Sequence, residues 1–74
     1  MAYTWTLTTE VSYLDVVEQN YDIYSQGGSL VGYCEKDQRG ADKPTYLLST
    51  NEGLKEFQTQ GEVEQYLTSH YTSH

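Results

Sequence analysis

The chain has 74 residues, of which Leu, Ile, Val and Phe supply only 14, and a formal charge of −7. That combination borders on the composition of disordered chains, and only the eight Tyr and one Trp add enough apolar surface for a thin folded core. Such a chain makes one domain, 1–74, has no run of about 18 apolar residues to span a membrane, and argues against a deep enclosed active site.

Residues 3–13 alternate strictly, with Tyr3, Trp5, Leu7, Thr9, Val11 and Tyr13 at odd positions and Thr, Glu or Ser between them. This period predicts a half-buried strand over 3–10 with the odd side chains on one face. Over 13–19 two readings stand. Ser12 and Asp15 have capping-box spacing for a short helix carrying Leu14 and Val17, whereas Val16-Val17 also suits continued strand.

The runs 21–25 and 30–34 flank Gln26-Gly27-Gly28-Ser29, a hairpin signal, because glycine supplies the positive φ of tight turns. Residues 36–44 lack apolar periodicity, end in Pro44, and read as a surface loop. Strand character returns at 45–50. For 51–58 a hairpin with Gly53 at a left-handed position competes with a helix from Asn51. Thr59-Gln60-Gly61-Glu62 is a capping box, followed by Val63, Tyr66, Leu67 and His70 at i, i+3, i+4 and i+7. The predicted fold is α+β: a small antiparallel sheet of four or five strands with one C-terminal α-helix packed on one face.

Charge selects the class of partner. Residues 1–35 hold Glu10, Asp15, Glu18, Asp22 and Glu35 without a base, whereas Lys36, Arg39 and Lys43 lie together further on. An acidic surface of this kind repels phosphate backbones and anionic lipid, so no direct nucleic-acid or membrane partner is expected. A basic protein or protein complex is its electrostatic complement. A homodimer through an open strand edge is the other association considered. The single Cys34, the absence of an Asn-x-Ser/Thr acceptor and an N-terminus without signal-peptide features point to the cytoplasm.

No constellation for catalysis, metal or cofactor is expected. His70 and His74 have i, i+4 spacing, but His74 is the last residue, and no third ligand is evident. Cys34 is flanked by Glu35, which disfavours a thiolate, and reads as an apolar strand residue. Gly27-Gly28 lacks a phosphate-loop pattern and reads as a turn. The tyrosines exceed what a core of this size buries. Together with carboxylates they suit an arginine-rich surface, where guanidinium groups stack on rings and pair with acids.

The expected partner-binding residues are Asp15, Glu18, Tyr21, Asp22 and Tyr24, five of the ten residues from Asp15 to Tyr24. The expected function is a small acidic protein-binding module. Its leading form is an inhibitor that occupies the basic, nucleic-acid-binding surface of a partner, of the phage anti-CRISPR or anti-restriction type. That analogy is one of type and rests on no matched motif. The alternative is a regulatory or accessory subunit of a cytosolic complex, with the Lys36–Lys43 stretch as its competing contact.

Overall fold

The computed structural model describes residues 3–71, and for Tyr71 the backbone alone. Five strands and one helix follow in chain order: β1 (Tyr3–Tyr13), β2 (Val16–Ser25), β3 (Leu30–Arg39), β4 (Thr45–Thr50), β5 (Gly53–Phe57) and α1 (Gln60–Tyr71). Strands adjacent in sequence pair antiparallel throughout, giving the spatial order β1-β2-β3-β4-β5. This meander with a C-terminal helix on one face is the predicted α+β architecture, with the fifth strand present. Its long axis measures 43 Å.

Two local expectations change, and the open choice at 51–58 is resolved. Residues 13–19 form neither helix nor unbroken strand: Tyr13 pairs with Val16, and Leu14-Asp15 is a two-residue hairpin turn. Leu14 adopts φ 54°, the positive value that hairpin turns require at their first central position. A leucine there gives no turn signal in the sequence, because glycine is the residue suited to that backbone. Lys36–Arg39 belong to β3 rather than to a loop, because each finds a ladder partner in β2, from Gln19↔Lys36 to Val16↔Arg39. Residues 51–58 resolve as the hairpin, with Gly53 at φ 117° beginning β5.

The alternation of β1 also breaks. Leu7 pairs with Tyr21 and Thr9 with Asn20, so Thr8 is an extra residue, a β-bulge. Because side chains alternate faces, one inserted residue exchanges the faces of everything beyond it. Tyr3, Trp5 and Leu7 therefore face the helix side, whereas Thr9, Val11 and Tyr13 face away from it. The bulge also interrupts the β1 edge, a device that discourages pairing between chains.

The core lies between sheet and helix: Tyr3, Ile23, Cys34, Tyr46 and Leu48 from the strands meet Val63 and Leu67. The Val63/Leu67 stripe is the one the sequence predicts. Thr59 Oγ1 accepts from Glu62 N at 3.1 Å, as a cap should. The return bond differs by one residue, since Glu62 Oε1 accepts from Gln58 N at 2.9 Å rather than from Thr59. Two polar ties bind the helix to β1: Trp5 Nε1 donates to Glu64 Oε2 at 2.7 Å, and the Tyr3 and Thr68 hydroxyls share a bond of 3.2 Å.

Leu67 is fully buried. Leu67→Ala should destabilise by about 2–4 kcal/mol in urea titration, and an unchanged midpoint would contradict the docking of α1. Leu14 is 88% exposed, so its side chain gains little burial to offset its backbone. Leu14→Gly should stabilise by roughly 1 kcal/mol, seen as a raised melting temperature. A lowered one would show that the leucine side chain, not the turn geometry, holds the hairpin.

Candidate functional site

The strand register assigns every side chain to the helix face or to the open face. Across the open face run three rows: Thr6–Asp22–Tyr33–Ser49–Leu54, then Asn20–Glu35–Leu47–Glu56, then Val11–Glu18–Asp37–Thr45. Five carboxylates therefore stand on one uncovered surface: Glu18, Asp22, Glu35, Asp37 and Glu56. Among the sheet's bases, Arg39 alone joins them, at the end of β3 beside Val16.

The two strand lysines are turned the other way. Lys36 Nζ lies 5.8 Å from the centroid of the Tyr46 ring, and Lys55 Nζ lies 5.7 Å from that of Tyr66. Both sit on the helix side, held over aromatic faces by cation–π attraction. Pleating thus sorts charge that is mixed along the chain: Glu35-Lys36-Asp37 and Lys55-Glu56 each split, acids to the open face and lysine to the other.

The acids crowd at one point. Glu18, Glu35 and Asp37 hold carboxylate oxygens within 4.8 Å of one another. A side-chain hydrogen bond to Asp37, desolvation, and repulsion from Asp37 and Glu18 together raise the Glu35 pKa above the ordinary carboxylate value. Asp37 Oδ1 is buried and has no hydrogen-bond partner among the described residues. Three hard oxygen donors form a focus of negative potential suited to a cationic group.

Apolar surface adjoins this charge. Tyr33 is 54% exposed and Leu54 66% exposed, and with Leu47 they border a depression of about 250 Å³ rimmed by Asp22 and Glu35. A second depression, of about 370 Å³, shares Leu47 and is lined by Glu18, Asp37 and Glu56, with Arg39 and Lys43 at its border.

Of the residues expected to bind a partner, Glu18, Asp22 and Tyr24 share the open face. Asp15 lies in the β1–β2 turn, where its carbonyl accepts from Gly40 N at 2.7 Å. Tyr21 stands on the helix side, edge-on to Trp5 with centroids 5.6 Å apart, and its hydroxyl donates to Gln19 Oε1. The structure thus separates Tyr21 from the other strand residues. It adds Tyr33, Glu35, Asp37, Leu47, Leu54 and Glu56, which sequence proximity missed because they come from three other strands. The alternation around Glu35-Lys36-Asp37 is the signal that could have found the acids, had 36–39 been read as strand. The same alternation disperses the supposed basic loop: Lys36 on one face, Arg39 on the other, Lys43 in the β3–β4 connection.

The remaining chemical candidates are otherwise engaged. Burial pushes the Cys34 thiol up to about 12, with Glu35 and Asp37 adding to the effect, so at neutral pH it stays protonated. His70 Nδ1 donates to the Tyr66 carbonyl at 2.9 Å, and its Nε2 lies 4.0 Å from Glu52 Oε1. The i, i+4 spacing to His74 falls outside the described residues. No helix among the described residues is long and apolar enough to cross a membrane. No family model matches the chain, and neither does any curated protein or solved structure.

The crowding of Glu35 makes stability depend on pH. The folded state holds the Glu35 proton more tightly than the unfolded chain, so this group favours folding at low pH, and its contribution is lost as pH rises through the raised value. Glu35→Gln should therefore melt a few degrees above the parent near neutral pH in low salt. The gap should close on acidification toward about pH 4, the ordinary carboxylate value. A gap independent of pH would mean that repulsion is not its source.

Proposed function

We propose that this protein is an acidic protein-binding module whose open sheet face covers the basic, nucleic-acid-binding surface of a partner, as inhibitors of the phage anti-CRISPR or anti-restriction type do. The observation that carries the reading is the segregation of charge: Glu18, Asp22, Glu35, Asp37 and Glu56 line the uncovered face while Lys36 and Lys55 are turned to the helix. A sheet face of this kind presents its negative charges in rows. Cross-strand neighbours lie on the order of 5 Å apart and next-but-one residues on the order of 7 Å apart. Regular rows of negative charge are what arginine- and lysine-lined grooves receive from a phosphate backbone. Tyr24 and Tyr33 on the same face supply rigid area for packing once charge has steered the encounter.

A second reading has its own support. Val11, Tyr13 and Leu14 are exposed together at the far end of the β1–β2 hairpin, and apolar contact is what holds an accessory subunit to its complex. The two readings differ in salt dependence and in competition by nucleic acid. A partner captured by the parent chain from cytoplasmic extract should be basic, should be released by added DNA duplex, and should bind steeply less tightly as salt rises. The triple reversal Glu18→Lys, Asp22→Lys, Asp37→Lys should lose it while keeping the parent's circular dichroism. Capture that persists in the folded reversal, or that DNA does not displace, would favour the accessory-subunit reading instead.

A further inference from the structure

We infer that the depression bordered by Tyr33, Leu47 and Leu54 is a slot for a single arginine side chain of the partner, with Asp22 and Glu35 receiving its guanidinium. The inference rests on the proposed role of the open face and names the chemical group that this face reads.

The walls of the slot match the parts of an arginine. Leu47 and Leu54 offer apolar surface for the three methylenes of the stem, which remain dry while the head reaches the rim. Tyr33 presents an exposed ring on the central strand. Asp22 stands directly opposite Tyr33 on β2, and Glu35 follows two residues on along β3, on the same face. The two carboxylates therefore flank the ring from two directions, across the ladder and along the strand. A planar guanidinium lying on the ring has N–H groups pointing outward in its own plane, toward both acids at once. An ammonium is a compact point charge with three donors but no plane, so it is drawn to a ring without lying flat on it and cannot combine stacking with in-plane pairing to both acids. Charge complementarity is therefore joined by shape that distinguishes the two common cations of proteins.

The rest of the rim agrees. Ser49 lies between Tyr33 and Leu54 in their row and Asn20 beside Glu35 in the next, so no cation competes within the slot. Arg39, the base of this face, lies beyond Asp37 at the strand end and borders the other depression.

The test uses three capped tripeptides, acetyl-Gly-X-Gly-amide, in which X is arginine, lysine or citrulline, the last being the neutral isostere of arginine. Each is titrated into the isotopically labelled full chain and followed by amide and methyl NMR shifts. The arginine peptide should give saturable shifts centred on Tyr33, Leu47 and Leu54, with an affinity about fivefold above that of the lysine peptide, and citrulline should give none. Tyr33→Leu, which keeps an apolar strand residue at an exposed position, should reduce the arginine-to-lysine ratio to about one, and Asp22→Asn should weaken the arginine peptide. Equal affinities for arginine and lysine, or shifts spread equally over the helix acids Glu62 and Glu64, would overturn the slot while leaving a diffuse acidic interface intact. If neither cationic peptide perturbs the open face, both the slot and the proposed role of that face fall.

Discussion

One helix cannot cover a five-stranded sheet, and that shortage governs the molecule. With Leu, Ile, Val and Phe so few, the chain assembles one apolar layer, between the helix face of the sheet and the Val63/Leu67 stripe. That layer is completed by the buried rings of Tyr3 and Tyr46. The helix, about three turns long, would not persist alone in water, so its cap at Thr59 and its ties to Trp5 and Tyr3 matter as much as its apolar stripe. Everything on the other side of the sheet is then left to face solvent or a partner.

An uncovered sheet face stays soluble most simply through mixed charge, in which opposite signs cancel. This face does something different. Thr4 and Thr6 hold the β1 side ahead of the bulge, and Asn20 and Ser49 interrupt the rows, while acids from β2, β3 and β5 crowd together without lysine. The two lysines that could neutralise them are spent over Tyr46 and Tyr66 on the helix side. Glu18 and Asp37 stand as like charges opposite one another in the ladder, which is unfavourable. Beside them the Glu35 pKa is raised, first by a hydrogen bond to Asp37 and then by desolvation and repulsion from Asp37 and Glu18. A composition of −7 could have been distributed more evenly at less cost to the folded state.

What could be read in advance follows from how far each signal reaches along the chain. The C-terminal helix, the Gly27-Gly28 hairpin and the Gly53 turn are marked by local residue chemistry, and each was legible. The Leu14-Asp15 turn was not, because the residue at its positive-φ position is one that ordinarily avoids it. The bulge at Thr8 was equally silent: nothing in Leu7-Thr8-Thr9 distinguishes it from regular strand, yet it reassigns Val11 and Tyr13 to the other face. For the candidate site, Glu18, Asp22 and Tyr24 could be chosen because they are close in sequence and alternate regularly. Glu35, Asp37, Leu47 and Leu54 join them only through ladder register, which is non-local. Tyr21 shows the reverse error of proximity, since an odd position among even ones is carried to the opposite face beside Trp5.

Two features of the chain run against its own stability, and they meet on the same surface. Leu14 holds a backbone conformation suited to glycine while leaving its side chain exposed, next to the exposed Tyr13 and Val11 at the distal end of the open face. The Glu18–Glu35–Asp37 cluster holds like charges together a few residues away, across the Val11–Glu18–Asp37 row. Sequence choices that conflict with the local fold concentrate where a protein is shaped for something other than folding. The two features would also act at different stages of the proposed contact. Negative potential from the cluster accelerates encounter with a basic surface and weakens as salt rises, whereas exposed apolar and aromatic side chains lengthen the life of the complex once formed. An acidic face with rings and leucines set among its carboxylates therefore joins fast approach to slow release, a combination that neither a purely charged nor a purely apolar face of this size would provide.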